Sequence, residues 1–231
     1  MHGTSAITAI TAQNTLGVTA IQELPVEIIR AQIDAVVTDL APAAAKTGML
    51  SSVEIIETVA AAVREHRLAK LVVDPVMVAK GGAKLLRDEA VAALRELLLP
   101  LAAVVTPNLP EAEVLAGMRV ETRADMEEAA RRILALGPRA VLVKGGHLKG
   151  DAVDVLWNGH EFTVFSTPRV ESPSTHGTGC TFSAAITAGV SRGHALGDAI
   201  RAAKAYVTNA IREGFTLGRG VGQLRHFLTE W

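Results

Sequence analysis

The chain has 231 residues, of which 49% are hydrophobic and only 3% aromatic, so Ala, Val, Leu and Ile must build its core. A formal net charge of −1 leaves no electrostatic footprint for nucleic acid, and a single cysteine excludes an internal disulfide framework. No apolar run approaches a membrane span, since residues 97–105 are interrupted by Pro100, and no basic residue precedes the mildly apolar residues 5–12. A soluble, cytoplasmic protein is expected.

Residues 5–12 and 18–24 are rich in β-branched side chains and read as strands separated by the turn-prone Gln13-Asn14-Thr15-Leu16-Gly17. Pro25 opens a helix to about Leu40, with Ile29, Ile33, Val36 and Val37 on one face. The short apolar stretch 43–47 precedes a helix with Ser51 or Ser52 as its N-cap, running to His66. Leu71-Val72-Val73 is a compact strand ending at Asp74-Pro75. A helix over 88–99 leads to a strand at 102–105, which ends at Thr106-Pro107-Asn108. A helical pair fills 111–136, and a strand at 140–143 ends at Lys144-Gly145-Gly146. Residues 154–157 and 161–165 form a hairpin around Asn158-Gly159. Helices from Thr178 and from about Leu196 complete the pattern. Alternating short strands and helices predict one α/β domain over residues 1–231, with a mostly parallel sheet covered on both faces.

Ligands gather at the carboxyl ends of the strands in such sheets. Four polar signals lie there: Asp74, the Asn108 and Glu111 pair, Lys144-Gly145-Gly146, and Gly177-Thr178-Gly179-Cys180. Each has an ordinary reading as well, as a turn, a first-turn carboxylate, a strand exit or a helix cap. Their joint placement points to phosphoryl transfer. Glycines let a backbone approach an anion, and the free amides of a helix start point at it. A thiol in that turn would feel the positive end of the helix dipole, which favours the thiolate. Asp74, Asn108 and Glu111 offer hard oxygens to Mg²⁺, Lys144 a mobile cation for phosphates, and Cys180 a base.

The sequence resembles the hydroxymethylpyrimidine/phosphomethylpyrimidine kinases of thiamine biosynthesis, within the ribokinase-like fold. The stretches that carry the likeness are Thr11-Ala12-Gln13-Asn14-Thr15, Lys46-Thr47-Gly48-Met49-Leu50, Val73-Asp74-Pro75-Val76-Met77, Thr106-Pro107-Asn108-Leu109-Pro110-Glu111-Ala112, Lys144-Gly145-Gly146-His147 and Thr175-His176-Gly177-Thr178-Gly179-Cys180. The last is quite specific, because related sugar kinases usually carry aspartate at the position of Cys180. The resemblance implies a three-layer α/β/α sandwich, ATP and Mg²⁺ as cofactors, and a homodimer. It implies that Cys180 deprotonates the pyrimidine hydroxymethyl group beside the Gly177-Thr178-Gly179 turn. Asp74, Asn108 and Glu111 would serve Mg²⁺, while Lys144 contacts ATP phosphates together with Thr178. Gln13 would read the aminopyrimidine edge, and Met49 and Val76 would line the ring pocket. Taken alone, Gln13 reads as a solvated turn residue and Met49 as core packing. His147, His160 and His194 show no metal-ligand spacing, and His176 adjoins the anion turn.

Members of that family begin with a strand, a Gly-Gly-Ala-Gly loop and a helix carrying an aspartate, and nothing here matches them. Met1-His2-Gly3 aligns where the family enters its second strand. The expectation is that Met1 is an internal methionine and that roughly 25–30 residues lie upstream, including a central strand and one wall of the pyrimidine pocket. Two other functions remain open: a pyridoxal kinase of the same fold, and a non-catalytic pyrimidine- or nucleotide-binding protein.

Overall fold

A computed structural model describes residues 2–77, 86, 88–146, 148 and 150–228; Met1 and His147 lie outside the described residues. The elements are β1 (Ala9–Asn14), β2 (Gly17–Glu23), α1 (Val26–Leu40), β3 (Ala45–Thr47), α2 (Val53–Glu65) and β4 (Leu71–Val73). They continue with α3 (Asp88–Ala93), β5 (Val104–Val105), α4 (Leu109–Ala116), α5 (Arg123–Leu134), β6 (Val141–Lys144), β7 (Ala152–Trp157), β8 (Phe162–Thr167), α6 (Thr178–Ser191) and α7 (Leu196–Arg212).

Six strands form one sheet in the order β3-β4-β5-β6-β7-β8. The pairs from β3 to β6 are parallel, while β7 and β8 add an antiparallel edge. Strand alternation sorts the buried residues into two clusters. Val73, Val105, Val141 and Val143 pack with Ile29, Ile56, Leu98, Met126 and Ile133 on one face. Val72, Val104 and Leu142 pack with Phe182 and Ile186 of α6 and Ile200 and Val207 of α7 on the other. Helices on both faces of a mostly parallel sheet make the three layers expected from the sequence. None of the described helices is long and apolar enough to cross a membrane.

The first two strands pair with each other as an antiparallel ribbon apart from the main sheet, with a register shift at Ala12/Gln13 and Ile10 and Ile21 exposed. Ser52 stands at the N-cap of α2, one of the two positions expected, though without a side-chain bond to the helix, and among the described residues the Ser51 hydroxyl is buried without a partner. One local expectation is corrected. The helix expected over 88–99 breaks at Ala93 into a π turn (Leu94–Leu98) and a 3₁₀ turn (Leu99–Leu101). Pro100 supplies no N–H to the helical ladder, so regular α geometry cannot be carried through it.

The ribbon is tied down at its turn. The Thr15 carbonyl accepts from the Val221 amide at 3.0 Å and its Oγ1 accepts from the Gly220 amide at 3.2 Å. A Cβ at Gly220 would overlap the Thr15 carbonyl, so only glycine allows this approach.

Candidate active site

Asp74 is the floor of the site. It follows β4, is 2% exposed, and among the described residues accepts hydrogen bonds from three side chains distant in sequence. Its Oδ1 takes Lys144 Nζ at 2.8 Å and Thr106 Oγ1 at 3.1 Å, and its Oδ2 takes Ser183 Oγ at 3.0 Å. Burial opposes its charge, but Lys144 beside it, aided by Lys46 and the Ser183 hydroxyl, holds the carboxyl below its ordinary value. Burial likewise opposes the Lys144 charge, and Asp74 and Glu111 overcome it, keeping the ammonium above its usual range. Both groups are therefore charged at neutral pH.

The glycine turn opens α6 as expected. Gly177 is the N-cap with φ +79°, a conformation that suits glycine, and the first intrahelical bond runs from the Thr181 amide to the Gly177 carbonyl. The amides of Thr178, Gly179 and Cys180 precede that bond, the arrangement of a helix start that can receive an anion. Thr178 Oγ1 is turned back onto the Thr175 carbonyl at 2.8 Å, which fixes the turn. A Cβ at Gly179 would come within 3.2 Å of Lys144 Nζ, so the ammonium and the helix start converge on one point.

Cys180 lies in the first turn of α6 and keeps an exposed face. The surroundings of the sulfur work against the thiolate expected from the dipole argument. Desolvation by the protein around the thiol, with the Asp74 carboxylate adding to it, pushes its pKa above the ordinary thiol value, while Lys46 and Lys144 pull the other way.

Asn108 and Glu111 do not project into the site as two free oxygen ligands. They form a capping box on α4: Asn108 Oδ1 accepts from the Glu111 amide at 2.9 Å, and Glu111 Oε2 accepts from the Asn108 amide at 2.8 Å. Glu111 is buried, and that burial raises its pKa to about 7 against the opposing pull of Lys144 and the Asn108 amide. Among the described residues no three His, Cys, Asp or Glu side chains stand together as a metal-binding cluster.

Gln13 reaches the same site from the ribbon. Its Nε2 is 3.2 Å from His176 Nε2, which joins β1 to the residue preceding the glycine turn. Met49 and Val76 are half-buried rather than core residues, and the Met49 carbonyl accepts from Thr8 Oγ1. His160 and His194 are exposed.

The sequence reading missed Thr106, Ser183, Lys46, Asp154 and Lys204. Lys204 left a signal: it lies on the apolar face of α7 between Ile200, Ala203 and Val207, where a lysine needs a partner. That partner is Asp154, whose Oδ2 accepts from Lys204 Nζ at 2.6 Å while Oδ1 accepts from the Gly145 amide. A Cβ at Gly145 would overlap the Val153 carbonyl, so the loop after Lys144 depends on glycine.

Comparison with known proteins gives the chain a family. The sequence profile of the phosphomethylpyrimidine kinase family matches residues 1–225. A hydroxymethylpyrimidine/phosphomethylpyrimidine kinase of Streptomyces coelicolor is 50% identical over 97% of this chain and 83% of its own. The thiamine biosynthesis bifunctional protein ThiED of Geobacter sulfurreducens is 51% identical over 98% of this chain, which spans 46% of that longer protein. Among solved structures, an ADP complex of Bacillus subtilis pyridoxal kinase superposes with a TM-score of 0.89 at 44% identity, covering 96% of this chain and 85% of that one. With a family profile along nearly its whole length and relatives at half identity, the chain belongs to the phosphomethylpyrimidine kinase family.

Proposed function

We propose that this protein is an ATP-dependent kinase that phosphorylates the hydroxymethyl group of 4-amino-5-hydroxymethyl-2-methylpyrimidine and then its monophosphate, giving the diphosphate for thiamine biosynthesis. The observation that carries the reading is the convergence of three unbonded helix-start amides, Cys180 and the Lys144–Asp74 pair at the carboxyl end of the sheet. The amides of Thr178, Gly179 and Cys180 receive the transferring phosphoryl oxygens, and Lys144 neutralises charge on the nucleotide phosphates. The hydroxymethyl proton passes to Cys180 Sγ as the acceptor oxygen bonds to phosphorus and the bond to ADP breaks. Gln13, positioned by His176, pairs with the aminopyrimidine edge, and Met49 and Val76 flank the ring.

Mg²⁺ fits this donor set as a hydrated ion. Asp74 and Glu111 each keep lone pairs beyond their protein hydrogen bonds, and a cation near Glu111 would hold that raised carboxyl ionised. The residues that would support it are Asp74, Glu111 and the Asn108 turn, acting through water. Bound with the nucleotide, the ion would supply neutralisation of phosphate charge. The assembly we assign is a homodimer and the compartment the cytoplasm.

Incubating the protein with MgATP and hydroxymethylpyrimidine, and following mono- and diphosphate by phosphorus NMR, tests the reading. Pyridoxal serves as the parallel acceptor, because the similarity to the Bacillus pyridoxal kinase makes it the second reading. Turnover of pyridoxal alone would reassign the acceptor, and nucleotide binding without any turnover would make this a binding protein.

A further inference from the structure

A row of alternating charge crosses the carboxyl end of the sheet. Lys46 of β3 is the register partner of Val72, which packs under α6 and α7. Asp74 lies two residues beyond Val72, and Lys144 two residues beyond Leu142 of the same cluster, so all three share that face. Asp154 of β7 is the register partner of Lys144, and Lys204 reaches it from α7. In sheet order the row reads Lys46, Asp74, Lys144, Asp154, Lys204. The last four are joined in two pairs at 2.8 Å and 2.6 Å. Lys46 is left over: it is half-buried and has no hydrogen-bond or ion-pair partner among the described residues. Its ammonium bends to the strand exit, where a Cβ at Gly48 would stand 3.1 Å from Nζ. From there its charge acts on both Asp74 and Cys180.

The two successive transfers of the proposed function, on which this inference rests, make different demands. In the first, the acceptor is an alcohol, and its proton must go to Cys180 as the new oxygen–phosphorus bond forms and ADP leaves. In the second, the acceptor is an oxygen of a phosphate monoester, whose second pKa is about 6, so no proton need be removed at neutral pH. The obstacle is instead repulsion between that dianion and ATP. Lys144 is assigned to the nucleotide phosphates, which leaves Lys46 as the unpaired cation of this row among the described residues. We propose that Lys46 binds the phosphate of the monophosphorylated acceptor, so that the second transfer depends on Lys46 as the first depends on Cys180.

The test measures the two steps separately, with hydroxymethylpyrimidine and with its monophosphate as acceptor, at saturating MgATP, in wild type, K46M, K46R and C180S. K46M should lower kcat/KM of the second step by about 10- to 100-fold more than that of the first, and K46R should restore part of it. C180S should show the opposite bias. Calorimetry of K46M should show weakened binding of the monophosphate relative to the alcohol, and thermal melting identifies any loss of folding. Equal losses in both steps for K46M, no loss in either, or equal losses for C180S would overturn the division of labour. A wild-type protein that phosphorylates neither pyrimidine would instead overturn the proposed function, and this inference with it.

Discussion

The two buried lysine–aspartate pairs of the sheet face use the same chemistry and are built for different purposes. Asp74 keeps two hydroxyl donors, Thr106 and Ser183, besides Lys144. If Lys144 turns towards a phosphate, the carboxylate it leaves is still solvated by protein. Asp154 has the Gly145 amide and Lys204, with both side chains less than a tenth exposed. Its lysine has nothing to exchange with. A buried pair is costly to break because one charge is stranded, and the number of spare donors decides how costly. The first pair is poised for exchange and the second is a fixed brace behind the Lys144 loop.

The largest effect expected is at the open pair's neighbour. C180A should reduce the first phosphorylation by about 10²–10⁴-fold while ATP binding persists, measured by steady-state rates and nucleotide titration. Because burial raises the thiol pKa, the wild-type rate should climb with pH through the ordinary thiol range and beyond it, and C180A should lose that climb. A C180A enzyme within a few-fold of wild type would remove the thiol from the mechanism.

Next come the pairs themselves. K204M strands Asp154 and should cost about 3–5 kcal/mol of stability in denaturant unfolding. K144A should cost about 10²–10³-fold in kcat but less stability than K204M, since Asp74 retains its hydroxyls. Reversal of that order in stability would break the distinction between an exchangeable pair and a brace.

Glu111 sharpens the comparison through pH. Its folded pKa of about 7 lies above the ordinary 4.5, so its contribution to stability is complete below about pH 4.5 and is lost as pH rises through 7. The full swing is about 3 kcal/mol. E111Q keeps a side chain able to complete the capping box but cannot ionise. In metal-free buffer its melting temperature should therefore gain on wild type as pH goes from 5 to 8, and parallel curves would show that the carboxyl is not desolvated. The smallest effect is at Gln13, exposed on the ribbon: Q13A should weaken pyrimidine binding by about 1 kcal/mol and leave the KM for ATP unchanged.

The layered fold could be read from the sequence because apolar strands and amphipathic helices alternate with little ambiguity. Val72 and Val73 predict a strand whether or not anything is known of its neighbours. The ribbon could not be placed, because its β-branched residues specify a strand but not the sheet it joins. Within the site, the glycine turn at Gly177 and Gly179 was legible as backbone chemistry, and Asp74 as a strand-end carboxylate. The dual use of Asn108 and Glu111 as a helix cap was only half visible, as a first-turn carboxylate. The raised thiol pKa was not legible at all, since it depends on Asp74 and on packing that only the folded chain brings to Cys180. Ser183 is separated from Asp74 by 109 residues, and no local pattern announces that bond.

The bond between the Gly220 amide and Thr15 Oγ1 spans 205 residues. Closing so long a loop costs chain entropy that local contacts do not repay, so this junction forms late in folding. It is one of the ties that hold the ribbon, with the Gln13–His176 and Thr8–Met49 contacts, whereas Asp74, Lys144 and Cys180 are assembled by the sheet and α6. On the proposed assignment, the acceptor side of the site would therefore be completed by a contact made late and from far along the sequence, while the phosphate side draws on the sheet and α6 and can take shape before it.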